Sequence, residues 1–291
     1  MSDKDAAAFK VGITTEIGAR KGSLFCFGPG LLYQQCSRKR NSALQDRHVF
    51  RLSGADIRPF LQGLVTNDVD KVDAGLVYAA LLTPQGKYLA DFFLAADGAD
   101  ILLDVAAELG PGLSQRLSMY KLRADVAIAD SGLHVHRGVG AVPADAHPDP
   151  RHAALGWRAY RAEAAPETDV DWTALRVAHV IPETGIELTP DSYILEAGFE
   201  VLHGVDFRKG CYVGQEVTAR MKHKTTLRKG LAQVGVDGSA APGTEITADG
   251  KAVGTLFSTA GTQGIAYLRF DRAQPEMQAG SARITWASAG N

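Results

Sequence analysis

Residues 77–107 read VYAALLTPQGKYLADFFLAADGADILLDVAA. Three apolar, strand-like runs (VYAALL, KYLADFFLA and ILLDVAA) are separated by two turn signals, Thr83–Pro84–Gln85–Gly86 and Asp97–Gly98. Proline followed two positions later by glycine fits a tight turn, so consecutive runs pair as hairpins. Hairpins mixed with helices, without a strand–helix–strand rhythm, predict an α+β fold, not a doubly wound sheet. The chain has no glycine-rich strand-to-helix loop, which excludes a P-loop and a dinucleotide fingerprint. Asp91 stands alone inside LADFFLA. A buried carboxylate must be paired or hydrogen-bonded, so it faces either a polar pocket or the outside of an alternating strand.

Working outward, HVFRLS at 48–53 predicts a strand. Ser53 and Asp56 stand at capping-box spacing, with Asp where Glu or Gln is usual. Ile57, Phe60, Leu61 and Leu64 then give a helix one apolar face. TNDVDKVDAG is turn-rich. Leu113, Leu117 and Tyr120 predict a second helix, DVAIAD a strand, PADAHPDP at 143–150 a loop, and WTALRVAHVIP a helix ended by Pro182. Between 230 and 287 five short apolar runs, separated by Gly, Pro and Asp, predict a small antiparallel barrel. The expected organisation is a loosely ordered extension over 1–46 (or an upstream misplaced start), an α+β region over 47–226 and the barrel over 227–291.

The chain has 291 residues, 45% of them hydrophobic, and a formal net charge of −2. That charge excludes a surface built broadly for nucleic acid. No apolar run approaches the ~20 residues of a membrane-spanning helix. The opening MSDKDAAAFK lacks a signal pattern, and a cytoplasmic, monomeric protein is expected. Cys26, Cys36 and Cys211 are too few and too scattered for a disulfide framework or a cysteine-only zinc site. Any working cysteine acts as a free thiol.

The segment DFRKGCYVGQEVTARMKHK at 206–224 holds the candidate, Cys211. Nearby cations favour the reactive thiolate, and Arg208, Lys209 and Arg220 are close in sequence. Gly210 and Gly214 bracket the thiol and permit conformations closed to other residues. Helical placement of 215–221 would put Glu216 and Arg220 at i, i+4. The same pattern also fits a glycine-punctuated turn with an incidental small hydrophobe. Lys222, His223, Lys224, Arg228 and Lys229 follow, either to attract a polyanion or as a solvated linker. His134 and His136 share a strand face and amount to half a metal site, with no third ligand evident.

KGCYVGQE at 209–216 resembles the signature of the YgfZ-type folate-binding proteins, relatives of the T protein (aminomethyltransferase) of the glycine cleavage system. FRLSGADIRPFLQGLVTNDV at 50–69, LLTPQGKYLADFFL at 81–94, and LRVAHVIPETGIEL at 175–188 with the YILEAG run are similar to other stretches of that superfamily. The resemblance implies three subdomains around a central folate pocket, with the barrel as one of them, and a tetrahydrofolate or one-carbon folate ligand. It implies support of iron–sulfur enzymes, including one that modifies tRNA, through Cys211 within the motif Lys209, Gly210, Tyr212, Gly214, Gln215 and Glu216. Asp91, Glu196 and Arg220 are the implied folate contacts, although the T protein has two adjacent carboxylates where this chain has Ala90–Asp91. Expected partners are iron–sulfur client enzymes or assembly factors. A glycine-cleavage aminomethyltransferase and a non-catalytic folate-binding or docking module are the alternatives.

Overall fold

The computed structural model describes residues 46–224 and 227–287. The expected extension over 1–46, with Cys26 and Cys36, lies almost wholly outside the described residues.

The opening hairpins belong to a five-stranded antiparallel sheet. Its strands are β1 (Arg47–Ser53), β2 (Val77–Leu82), β3 (Tyr88–Asp97), β4 (Asp100–Ala106) and β5 (Ala127–Asp130), in spatial order β2-β3-β4-β1-β5. The turn between β2 and β3 closes with Gly86 N donating to Thr83 O at 2.8 Å. Every residue of β2 is buried because both faces of the sheet are covered, which is why the runs are apolar throughout instead of alternating. One face, through Leu52, Leu81, Phe92 and Leu103, packs on helices α1 (Ile57–Gln62) and α2 (Gly110–Tyr120). The other, through Tyr78, Ala80, Phe93 and Leu102, lies under Ile181, Leu188, Ile194 and Phe199.

The capping box at the start of α1 does not form. Asp56 occupies the N-cap without a cap hydrogen bond, and its carboxylate instead accepts from Asp125 N at 2.8 Å. The PADAHPDP loop contains one short strand. β6 (His134–Gly138), β7 (His147–Pro148) and β8 (Trp157–Arg161) make a second sheet in the order β6-β8-β7. Helix α3 (Trp172–Ala178) is capped by Asp171, which accepts from Ala174 N at 2.9 Å. It ends before Pro182, where Val180 takes a positive φ of 52°.

After helix α4 (Gln215–Lys224) come β9 (Lys229–Asp237), β10 (Thr244–Ala248), β11 (Lys251–Ala260), β12 (Gln263–Arg269), β13 (Glu276–Ala279) and β14 (Ala282–Thr285). They close into a barrel in the order β10-β11-β12-β9-β14-β13, which makes six strands where five are expected. The extra one, β13 (EMQA), places only Met277 and Ala279 inward and carries no apolar run to announce it. The barrel docks on α3. Arg176 donates to Ser258 Oγ at 2.9 Å, and Gln233 donates to Val177 O at 3.2 Å.

Candidate functional site: a pinned thiol loop and a buried charged centre

The residues on either side of Cys211 are anchored, whereas Cys211 itself is exposed. Lys209 points inward, and its ammonium donates to three backbone carbonyls: Gln62 O at 2.9 Å, Val65 O at 2.6 Å and Asn67 O at 2.9 Å. Burial draws its pKa down to about 8. This ammonium is therefore committed to carbonyls and is not the thiol's activating cation. Arg208, 91% exposed, is the flanking charge left in solvent. Tyr212 is buried, and burial raises its phenol to about 12.

Gly214 has φ +84°, and a Cβ there would sit 2.6 Å from Thr83 O. Gly86, at φ +75°, faces it from the β2–β3 turn, and its own Cβ would sit 2.8 Å from Val217 Cβ. Two glycines thus let the hairpin turn and the start of α4 meet backbone to backbone. Gly210 has no such neighbour within 4 Å, so packing does not explain it. Gln215 opens α4. Glu216 and Arg220 are both exposed, and the i, i+4 ion pair expected of them does not form. Further along α4, Lys222 pairs with Glu200 at 2.5 Å.

Asp91 faces a polar interior and not solvent. It is 5% exposed and accepts from Tyr78 at 3.0 Å, Tyr88 at 2.6 Å and Thr184 at 2.7 Å. Burial, then the charge of Asp91, pushes both tyrosine pKa values well up, so these phenols stay protonated donors. Asp104 lies on the same face and pairs in register with Phe93. It opens a buried ladder: Arg47 to Asp104 at 2.5 Å, Arg158 to Asp104 at 3.1 Å, Arg158 to Asp149 at 3.1 Å and Arg151 to Asp149 at 2.8 Å. The guanidinium of Arg158 lies 3.9 Å from the Phe93 ring centre. Charges this deep persist only when paired. Asp104 carries the same sequence signal as Asp91, a lone acid in an apolar run. Asp149, Arg151 and Thr184 give no local signal, because their significance comes only from tertiary placement.

Glu196 lies elsewhere, at the barrel. It accepts from Tyr267 at 2.6 Å, and Lys229 approaches it at 3.7 Å. With Tyr193 and Lys87 it lines an open cleft of about 370 Å³. No hydrogen bond or ion pair among the described residues joins Asp91, Glu196 and Arg220 to one another. His136 is buried, with Nε2 2.8 Å from Glu163 O, while His134 is exposed.

The fold is similar to that of the glycine cleavage system aminomethyltransferase T from Bartonella henselae (TM-score 0.63, 12% identity, 86% of this chain and 88% of that one). Residues 228–289 match the CAF17 C-terminal beta-barrel domain. Fold and barrel together show the aminomethyltransferase T fold, a mixed α/β body followed by a closed six-stranded barrel.

Among relatives, the mitochondrial iron–sulfur cluster assembly factor IBA57 of Mus musculus is 32% identical, covering 78% of this chain and 76% of its own length. The mitochondrial IBA57 homologue of Mycosarcoma maydis is 34% identical over 63% of this chain. The chain belongs to the IBA57 family of iron–sulfur cluster assembly factors, which refines the resemblance to YgfZ-type proteins. It spans 54% of the length of the Mycosarcoma relative. The expectation of a cytoplasmic protein is overturned, since these relatives are mitochondrial. That expectation rested on a missing signal pattern, which does not select a compartment.

Proposed function

We propose that this chain supports assembly or repair of iron–sulfur enzymes, those that modify tRNA included, with the Cys211 thiol as the working group, and that it binds tetrahydrofolate or a one-carbon derivative. The carrying observation is the geometry at 209–214. One thiol projects into solvent from a backbone fixed by the Lys209 ammonium on one side and the buried Tyr212 and packed Gly214 on the other. A ligand held this way loses little conformational freedom when it binds. Cys211 is the one cysteine among the described residues, and one thiol cannot hold a [4Fe–4S] cluster, which takes about four thiolates. The cluster is therefore cargo, and the client or assembly partner supplies the other ligands.

The residues fit a folate unevenly. Both oxygens of Asp91 are already engaged by hydroxyls, whereas Glu196 keeps one oxygen with only a lysine at 3.7 Å, beside tyrosine rings. Bound folate would supply a one-carbon carrier. The chain's own part is to bind it, with the Glu196 carboxylate and the neighbouring Lys229 as the groups left to contact it.

Reconstitution tests the proposal. An apo [4Fe–4S] client is supplied with iron, sulfide and this protein, and cluster absorbance is followed over time. Wild-type protein should accelerate loading, and Cys211→Ala should leave it at the rate without protein. Equal acceleration by both would contradict the proposal. Tetrahydrofolate affinity, measured by calorimetry on the same preparations, should be unchanged by Cys211→Ala and weakened by Glu196→Gln.

A further inference from the structure

The turn at Glu200 and Val201, the pair Phe207 and Arg208, and helix α4 make one surface that leads to the thiol loop. Lys222 on α4 pairs with Glu200 at 2.5 Å, and its ammonium lies 5.7 Å from the Phe207 ring centre. His223 meets the same ring edge-on, with ring centres 6.4 Å apart. Val201, next to Glu200, is left 78% exposed. Arg208 is three residues from the exposed Cys211, so their backbones lie within about 11 Å of each other. A single exposed valine is ordinary. This one stands beside a half-buried phenylalanine and a row of cations.

Residues 206–224 carry five lysines and arginines against two acids, in a chain of formal net charge −2. Lys209 spends its charge inward on carbonyls, and Lys222 has Glu200. Arg208 and Arg220 are the outward cations without a close acid. The carboxylate of Asp206 is 3.9 Å from the Arg208 guanidinium, is almost wholly buried and is already taken by Lys71 at 2.7 Å. Arg220 is exposed and pairs with no acid among the described residues. It shares a side of α4 with His223, three residues on, and with Glu216, the exposed acid of that helix, one turn back. An apolar and aromatic centre with arginines around it has the composition of a protein interface. The positive rim selects a negative partner and speeds its approach. Nucleic acid suits the surface less, since a phosphate backbone takes a stripe of cations and gains nothing from an exposed valine.

We propose that this surface is the docking face for an acidic protein, the one that brings the remaining cluster ligands to Cys211. The proposal rests on the reading of Cys211 as the working thiol. A cluster held by one thiol here and by ligands elsewhere requires the second protein to sit over 208–211, and this is the surface it then meets.

The probe is an acidic apo [4Fe–4S] ferredoxin, titrated into the full chain by calorimetry and used as the client in cluster loading. Wild-type protein should bind it. Val201→Asp should raise both the dissociation constant and the half-saturating concentration in loading about tenfold, with the rate at saturation unchanged. Val201→Lys, which loses the apolar contact but keeps a favourable charge, should fall between. Arg208→Gln should weaken binding and reduce its salt dependence. Because Val201 is exposed, its variants should melt with the wild type. Equal binding by wild type and Val201→Asp, or a wild-type chain that does not bind the probe, would overturn the docking face. Bulk tRNA bound in place of the probe would overturn it as well and assign the surface to nucleic acid. Unaltered binding by the Val201 and Arg208 variants, with Cys211→Ala unable to load, would remove the face and leave the thiol reading standing. Weakened binding by Val201→Asp, with Cys211→Ala loading at the wild-type rate, would support the face and remove the thiol reading.

Discussion

Lys209 is two positions from the thiol, yet its contribution is made in the interior. Three carbonyls within 2.9 Å of one ammonium are satisfied by the three donors that only a protonated lysine has. Replacing it with methionine fills the same space and strands those acceptors. Each stranded buried group costs about 1–3 kcal/mol where water cannot reach it. Lys209→Met should therefore lower the urea midpoint and speed amide exchange across 209–214, with Cys211 still present. An unchanged exchange pattern would show that the lysine does not pin the loop. From sequence, Lys209 is expected as a cation near the thiol. The motif is legible but the direction of the side chain is not, since its acceptors lie more than 140 residues away in the chain.

At the scale of elements, the hairpin turn and α4 are joined through two glycines. Gly214→Ala puts a Cβ 2.6 Å from Thr83 O at a φ of +84°. The backbone strain alone costs roughly 1–3 kcal/mol, and the overlap with backbone oxygen adds to it. Gly86→Ala should cost a similar amount. Because each change opens the same contact, the double variant should be less destabilised than the sum of the singles. Strict additivity in denaturant melts would contradict that packing. The hairpins and the barrel region are readable, because apolar runs and turn residues mark them locally. β13 is not, because two inward side chains make too short a pattern. The cap of α1 misleads, because Asp125, nearly 70 residues on, competes for the Asp56 carboxylate.

For the molecule as a whole, the buried ladder from Arg47 to Arg151 ties the two sheets together. Burial alone would raise the pKa of Asp149, but Arg151 and Arg158 overcome that and hold it well below the usual range. A depressed folded pKa means the unfolded chain, titrating near ~3.9, takes up the proton first. The stability due to this pair is thus fully present above about pH 4 and is lost as pH falls below it. Asp149→Asn should flatten the acid limb of a pH–stability curve and cost about 3–5 kcal/mol near neutrality, the usual penalty for breaking a buried pair. An acid limb of unchanged slope would assign the effect to other carboxylates.

The proposed function rests on one exposed thiol on a pinned loop. It is tested most directly in a strain lacking its own IBA57-family protein, by measuring [4Fe–4S] enzyme activity after complementation with wild-type or Cys211→Ala chain at equal abundance. Because the Cys211 side chain is exposed, the substitution should leave the melting temperature unchanged. The predicted result is restored activity with wild-type and none with the variant, and full rescue by folded Cys211→Ala would contradict it.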